Sequence, residues 1–364
     1  MKLTKVLLPV VAGVLLSASA NAQVDITITG STAFRSIAFD RVQSLFDAGY
    51  VTKGNTGNGP GTFSGTMSGK VPSLGNTPVV VRLSFSGSGS GMLAVVNRTP
   101  VGTVDPVTGD TANLVNKAPD LAFSDVFPES ATPPINRVDV EDSIVGVIPF
   151  VWVRNNALAG ISNLTREQAV LLMTASGVAT VGGQTIPGMP ASFLGGADNN
   201  PVYLTGRDSG SGTRITIQKD IGFTGTPTMW GLDAGNSLVL TNGYSSGGSE
   251  RSVIANSSRV IGYLGAADAA NIASSATVLT YNGVAFTPQN VQAGKYPLWG
   301  YEHFVNRANG LSVNQAAVRD ALVAAVTDQT FQTSNPLYTA NFVDQANMHV
   351  ERGTDGGSIT SLDF

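Results

Sequence analysis

The chain has 364 residues, no cysteine, 13% charged residues and a net charge of −4. Zero cysteines exclude disulfides, thiolate metal sites and a lipidated N-terminal cysteine, and without a basic stripe or aromatic-basic interleaving no nucleic-acid partner is expected. With 42% hydrophobic residues at this length, two domains with sizeable cores are expected.

The chain opens with "MKLTKVLLPVVAGVLLSASANAQ", which has the three parts of a secretory signal: Lys2 and Lys5, an apolar run from Val6 to Leu16, and Ala20-Asn21-Ala22 before Gln23. The run is too short to span a bilayer comfortably. Export and removal of residues 1–22 are expected, leaving a mature chain in the periplasm or beyond it; losing Lys2 and Lys5 takes the net charge from −4 to −6.

"VDITITGSTAFRSIAFDRVQSLF" alternates as a strand, turns at Gly30, and continues with Ile37, Ala38, Val42, Leu45 and Phe46 at helical spacing. Ser31 or Thr32 is placed to cap that helix. Residues 51–76, rich in Gly, Thr, Ser and Asn, read as a loop or short hairpin. "TPVVVRLSFSGSGSGMLAVVNR" repeats the first pattern, with a strand at Val79 to Phe85, a Ser/Gly turn and a helix from about Met92. After a second loop at 99–119, "DLAFSD" supplies a strand ending at Ser124-Asp125, and "SIVGVIPFVWVRNN" reads as a central strand buried on both faces. "SNLTREQAVLLMTASG" is a helix with a Thr165/Gln168 capping box and Gly177 as C-terminal cap. "NPVYLTGRDSGSGTRITIQKDIG" is strand, Gly/Ser turn and helix for the third time. "SLVLTNGYSSGGSERSVIANSSRVIGYLG" adds strand, turn, helix and strand, "YPLWGYEHFVNR" a further strand, and "NQAAVRDALVAAVTDQ" an amphipathic helix. Strands alternating with helices predict an α/β fold with largely parallel sheets.

The recurring strand, Ser/Gly turn, helix unit has a chemical reading. Glycine lets backbone approach a ligand, serine adds a hydroxyl, and the helix start offers unpaired N–H groups with about half a unit of positive charge. Three such turns at the carboxyl ends of strands would make a cage of donors suited to a tetrahedral oxyanion. Net negative charge does not oppose this, because the positive potential is local. Arg207, beside a Gly/Ser helix start, can grip two oxyanion edges.

"TGRDSGSGTR" resembles the Arg-x-x-Gly-Ser-Gly-Thr motif of periplasmic phosphate-binding proteins, the substrate-binding subunits of phosphate ABC importers. "GSTAF", "GSGSG", "AFSD", "GVIPFVWV", "NLTREQ", "GSER", "VIGYLG" and "YPLWGYEHF" follow in that family's order across nearly the whole mature chain. The resemblance implies a two-lobed type II periplasmic binding protein fold, each lobe a mixed, mostly parallel sheet flanked by helices, with two crossover strands as hinge. Lobe 1 is expected at residues 23–149 plus 297–364 and lobe 2 at 150–296, with boundaries near Pro149 and Pro297. It implies inorganic phosphate or a similar oxyanion as ligand, no cofactor, an ABC permease in the inner membrane as partner, and a monomer. Matched by position, Ser31, Thr32, Ala33 and Phe34 are the first turn's contribution and Ser88 the second's, while Arg207, Ser211, Gly212 and Thr213 come from the other lobe. Asp125 matches the family's aspartate, which accepts a hydrogen bond from a phosphate O–H. A carboxylate facing an anion is unfavourable unless the anion carries a proton to donate, so Asp125 would reject sulfate. Arg35 stands where importer subunits commonly have proline; an additional anion contact and a solvated helix position are both open.

Two other classes are weighed. "GYSSG" fits the Gly-x-Ser-x-Gly pattern of a serine hydrolase with Ser245 as nucleophile, and His303 and His349 are the two histidines that could serve as its base. "GTMSGK" fails as a phosphate loop because Val71 occupies the Ser/Thr position, and no metal-ligand spacing occurs. The long Gly/Ser/Thr/Asn loops also suit a surface scaffold that reuses the fold.

Overall fold

β1 (Val24–Gly30) runs into α1 (Arg35–Ser44) through a turn that only glycine makes without strain. Gly30 has φ +105°, and a Cβ there would run into the carbonyl oxygen of Phe123. Gly30→Ala is therefore expected to lower stability by about 1–3 kcal/mol, read from the midpoint of urea unfolding. An unchanged midpoint would mean the turn relaxes freely. In the computed structural model, residues 23–54, 64–175, 179–181, 184–186 and 188–362 are described; the expected secretory signal and the Gly177 cap lie outside them.

The segment read as a loop or hairpin supplies two strands, β2 (Val51–Gly54) and β3 (Ser64–Val71), paired antiparallel. β3 also pairs with β4 (Thr77–Phe85), so the segment extends the main sheet at its edge. α2 spans Ser88–Asn97, four residues more at its start than the expected beginning near Met92. Glycine and serine suffice there because the first-turn amides find outside acceptors: Gly89 N and Ser90 N both donate to Gly210 O, at 3.0 and 3.3 Å. The 99–119 loop contains a small antiparallel ribbon, Val101–Thr103 with Val115–Lys117. β5 (Leu121–Ser124) then enters the sheet beside β1, in parallel.

β6 (Val140–Asn155) is a 16-residue strand, wholly buried from Val145 to Val153. α3 (Arg166–Ala175) follows with the expected capping box: Gln168 N donates to Thr165 Oγ1 at 3.2 Å and Thr165 N to Gln168 Oε1 at 2.9 Å. β7 (Pro201–Leu204), α4 (Gly212–Ile221), α5 (Gly247–Asn256), β8 (Val260–Gly265), the short α6 (Ala266–Ala270), β9 (Trp299–Arg307) and α7 (Val313–Val326) complete the elements that matter for the site. The strand expected at "SLVLT" forms, at Leu238–Thr241, but pairs with Met229–Leu232 in a separate hairpin and stays out of the main sheet.

The main sheet has eleven strands among the described residues, in the path Met189–Pro190, β7, β8, β6, β9, β5, β1, β4, β3, β2, with Ala276–Val278 also on β6. Parallel ladders occur where the strand, turn, helix units lie: β1 with β4, β1 with β5, and β7 with β8. The other ladders of this sheet are antiparallel, so it is mixed rather than largely parallel: β6 and β9 cross the molecule beside each other in opposite directions and run against β8 and β5, and β2–β3, β3–β4 and Met189–Pro190 with β7 are antiparallel edge pairs. Residues 140–149 of β6 pair with β9, and residues 150–154 pair with β8. Side chains on both sides of this crossing belong to one large apolar cluster, from Ile26 and Phe123 to Trp152 and Tyr263.

Candidate anion-binding site

The three Gly/Ser turns come together at the crossing. The close approach is built on small residues: a Cβ on Gly212 would sit 2.5 Å from Ser88 Oγ and 2.9 Å from Asp125 Cβ, and one on Gly87 3.1 Å from Gly210 O. Ser31, Thr32, Ser88, Asp125, Arg207, Ser211 and Thr213 are all at most 2% exposed. So many buried polar groups in one place require mutual satisfaction, and they bond to one another over long sequence separations.

Asp125 is the centre of the network. The Ser31 hydroxyl donates to its Oδ1, Thr213 Oγ1 donates to Oδ2 at 3.5 Å, and its own backbone N–H donates to Ser88 Oγ at 3.2 Å. Burial raises the Asp125 carboxyl above its usual range, against the lowering pull of Ser31 and the Arg207 charge. Ser31 also accepts from Phe34 N at 3.0 Å, which closes the turn, but the N-cap of α1 is Phe34 and no side chain caps it. The other candidate cap, Thr32, turns instead to Arg207. Ala33 and Phe34 contribute packing: Ala33 lies against Gly265, and the Phe34 ring sits 5.3 Å from that of Phe123 and 5.4 Å from that of Phe342.

Arg207 is held on three sides. Nε donates to Tyr244 O at 3.0 Å, and Nη2 donates to Ser245 O at 2.7 Å and to Thr32 Oγ1 at 3.0 Å. At the other end of the same motif, Arg214 Nη1 donates to Arg207 O at 3.2 Å, bracing the turn. Ser211 caps α4 by accepting from Arg214 N at 3.4 Å, leaving its hydroxyl proton available to donate.

Arg35 is not a solvated helix residue. It is 3% exposed and pairs through Nη2 with Asp268 Oδ1 of α6 at 2.8 Å, with a second contact from Nη1 to Oδ2 at 3.3 Å. Arg251 meets the same carboxylate at 3.0 Å. Ser245 is exposed, while His303 is buried in β9 with Nδ1 at 3.0 Å from Asp142, and His349 is exposed.

Sequence reading passed over Asp268, Arg251, Glu250 and Glu302. Arg251 and Glu250 lie in "GSER" and Glu302 in "YEHF", where the one signal for Glu302 is a charged residue inside a strand pattern. Glu250 has no exposure, accepts from Tyr263 N at 3.0 Å, and is pushed up to about 8 by burial despite the Arg207 charge. Among the described residues, no group of three or more His, Cys, Asp or Glu is arranged to hold a metal ion.

No protein-family model matches the chain. In sequence it is 26% identical over 223 residues to the phosphate-binding protein PstS of Bacillus subtilis, a match covering 59% of this chain and 64% of that protein's length. In three dimensions it is similar to a proposed phosphate ABC transporter substrate-binding protein of Clostridium perfringens, solved with bound phosphate: TM-score 0.56, 14% identity, 88% of this chain and 98% of that one. It is also similar to PfluDING, a high-affinity periplasmic phosphate-binding protein solved with phosphate, at TM-score 0.51 and 14% identity over 88% of this chain and 90% of that one. The chain has the two-lobed fold of these proteins.

Proposed function

We propose that this chain is an exported solute-binding protein that captures phosphate between its lobes for an ABC importer in the inner membrane. The observation that carries the reading is Asp125, a buried carboxylate that accepts hydroxyl protons from Ser31 and Thr213 and lies in the field of Arg207. Donors alone would suit any oxyanion. A carboxylate among them suits one that still carries a proton, as phosphate does near neutral pH and sulfate does not. Lobe 1 is read as residues 23–149 with 297–364 and lobe 2 as 150–296, the chain passing between them near Pro149 and Pro297. Ser31, Thr32, Ala33, Phe34, Ser88 and Asp125 then belong to lobe 1, and Arg207, Ser211, Gly212 and Thr213 to lobe 2. Several charge-assisted bonds of about 1.5–3 kcal/mol each support micromolar or tighter affinity after ordering and desolvation costs.

Calorimetric titration with phosphate and with sulfate tests the reading. Heat and thermal stabilisation are expected with phosphate and neither with sulfate; no response to phosphate removes the proposal. A surface scaffold would respond to neither anion.

Closure has its own probe in the Arg35–Asp268 pair, which ties the first turn to α6 of the other lobe. Arg35→Ala leaves Asp268 paired with Arg251, so no buried charge is stranded. Phosphate affinity is expected to fall roughly tenfold, about 1.4 kcal/mol, mostly through faster dissociation. Stopped-flow release that is unchanged would make the pair a folding contact only.

A further inference from the structure

β9 brings a second carboxyl to the site. It pairs antiparallel with β5 through His303↔Ser124, so one residue along Glu302 comes opposite Asp125, the first residue beyond β5. Opposed residues on antiparallel neighbours project to the same face, and both side chains are interior, Glu302 with no exposure and Asp125 with 2%. The surroundings of Glu302 are otherwise poor in charge. Gly146 of β6 leaves room beside it: a Cβ there would be 3.8 Å from Glu302 Cβ, 3.7 Å from the Phe34 ring and 2.9 Å from the Tyr338 hydroxyl. That hydroxyl donates to Val343 O at 3.3 Å. The next residue of β9, His303, is engaged with Asp142.

The two carboxyls are unequally supported. Asp125 accepts from Ser31 and Thr213 and feels Arg207, whereas Glu302 has no donor to accept from among the described residues and interacts instead with the Asp125 carboxyl. Adjoining buried carboxyls cannot both ionise at little cost, and the shared proton settles on the one with fewer donors. That one is Glu302, which burial first and the Asp125 charge second push well above the ordinary carboxylate range.

We infer that Glu302 is a positioning residue that determines specificity: it stays neutral and turns its carboxyl proton to Asp125, holding Asp125 ionised as acceptor for a proton on the bound anion. The inference rests on the phosphate reading of the site. Without that donor, Asp125 takes up the proton itself and ceases to repel sulfate. When Glu302 ionises, a second negative charge adjoins the anion and weakens its binding.

The test compares wild type, Glu302→Gln and Glu302→Leu in phosphate and sulfate titrations from about pH 5 to about pH 10. Titration of phosphate itself is common to all three proteins, so differences between profiles report the residue. Glu302→Gln, a neutral donor of the same shape, is expected to match wild type within about twofold near neutrality and to escape a further fall of about tenfold at the alkaline end. Glu302→Leu should lower the phosphate-over-sulfate ratio about tenfold while Glu302→Gln keeps it. Superimposable alkaline profiles, or full selectivity in Glu302→Leu, would overturn the inference; should the leucine variant not fold, the glutamine comparison still decides. Ligand-free thermal unfolding supplies an independent arm. The folded state holds the Glu302 proton more tightly than the unfolded chain, so wild-type stability relative to Glu302→Gln should decline as pH rises from about 4.5 toward the raised folded value. If wild type fails to bind phosphate, the proposed function falls, and parallel unfolding profiles would separately overturn the neutrality of Glu302.

Discussion

Arg207→Ala is expected to weaken phosphate binding by about 2–5 kcal/mol, roughly thirtyfold to several thousandfold, and to leave a folded protein. The guanidinium is 2% exposed and already fixed in orientation by Tyr244 O, Ser245 O and Thr32 Oγ1, so little ordering cost remains to be met when an anion arrives. Truncation removes the charge and leaves the Ser245 carbonyl to find water, while the Tyr244 carbonyl keeps its bond from Asp208 N. The substitution takes from Asp125 a charge that lowers its carboxyl but leaves the Ser31 and Thr213 donors in place, and Glu250, pushed up to about 8 by burial with Arg207 present, is driven further toward its neutral form. Arg207→Lys keeps the charge but loses the planar fork, and an intermediate affinity is expected from it. Calorimetry at fixed ionic strength measures both variants. Full affinity in Arg207→Ala would remove the residue from the site.

Asp125→Asn is expected to lower the phosphate-over-sulfate ratio by at least tenfold. Asparagine keeps an acceptor for the Ser31 hydroxyl, so the network can persist, while the charge that repels a fully ionised anion is gone. Phosphate should bind more weakly, losing a charge-assisted bond of about 1.5–3 kcal/mol, as sulfate gains from the lifted repulsion. The same logic gives a pH dependence for the wild type. Burial raises Asp125 above 3.8, so selectivity is present where the residue is ionised and is lost as pH falls through that raised value. Competition titrations with the two anions over an acidic series measure both effects; discrimination unchanged in Asp125→Asn would make the aspartate a structural acceptor for Ser31 and Thr213.

Most of the element pattern was legible in the residues. Alternation before Gly30, the Thr165/Gln168 box and the unbroken apolar run of β6 are local signals, set by side-chain period, capping and burial over a few residues. Less legible were elements whose state depends on distant partners. The start of α2 at Ser88 rests on Gly210 O, more than a hundred residues away, and the strand at Leu238–Thr241 forms because Met229–Leu232 lies beside it. Glycine and serine have weak intrinsic preferences, so tertiary hydrogen bonds decide their conformation.

Local residue pattern sets the three Gly/Ser turns, each at the end of an apolar strand, and supplies the residue types suited to an anion: hydroxyls, an arginine and one aspartate. Those follow from local chemistry and from a motif of fixed spacing. Which of these groups meet depends on long-range packing. The antiparallel register of β9 on β5 sets Glu302 beside Asp125, and the packing of α6 on the first turn gives Arg35 to Asp268. Strand register and contact between segments far apart in the chain are long-range choices, made by the burial of whole faces, and no stretch of a few residues carries them.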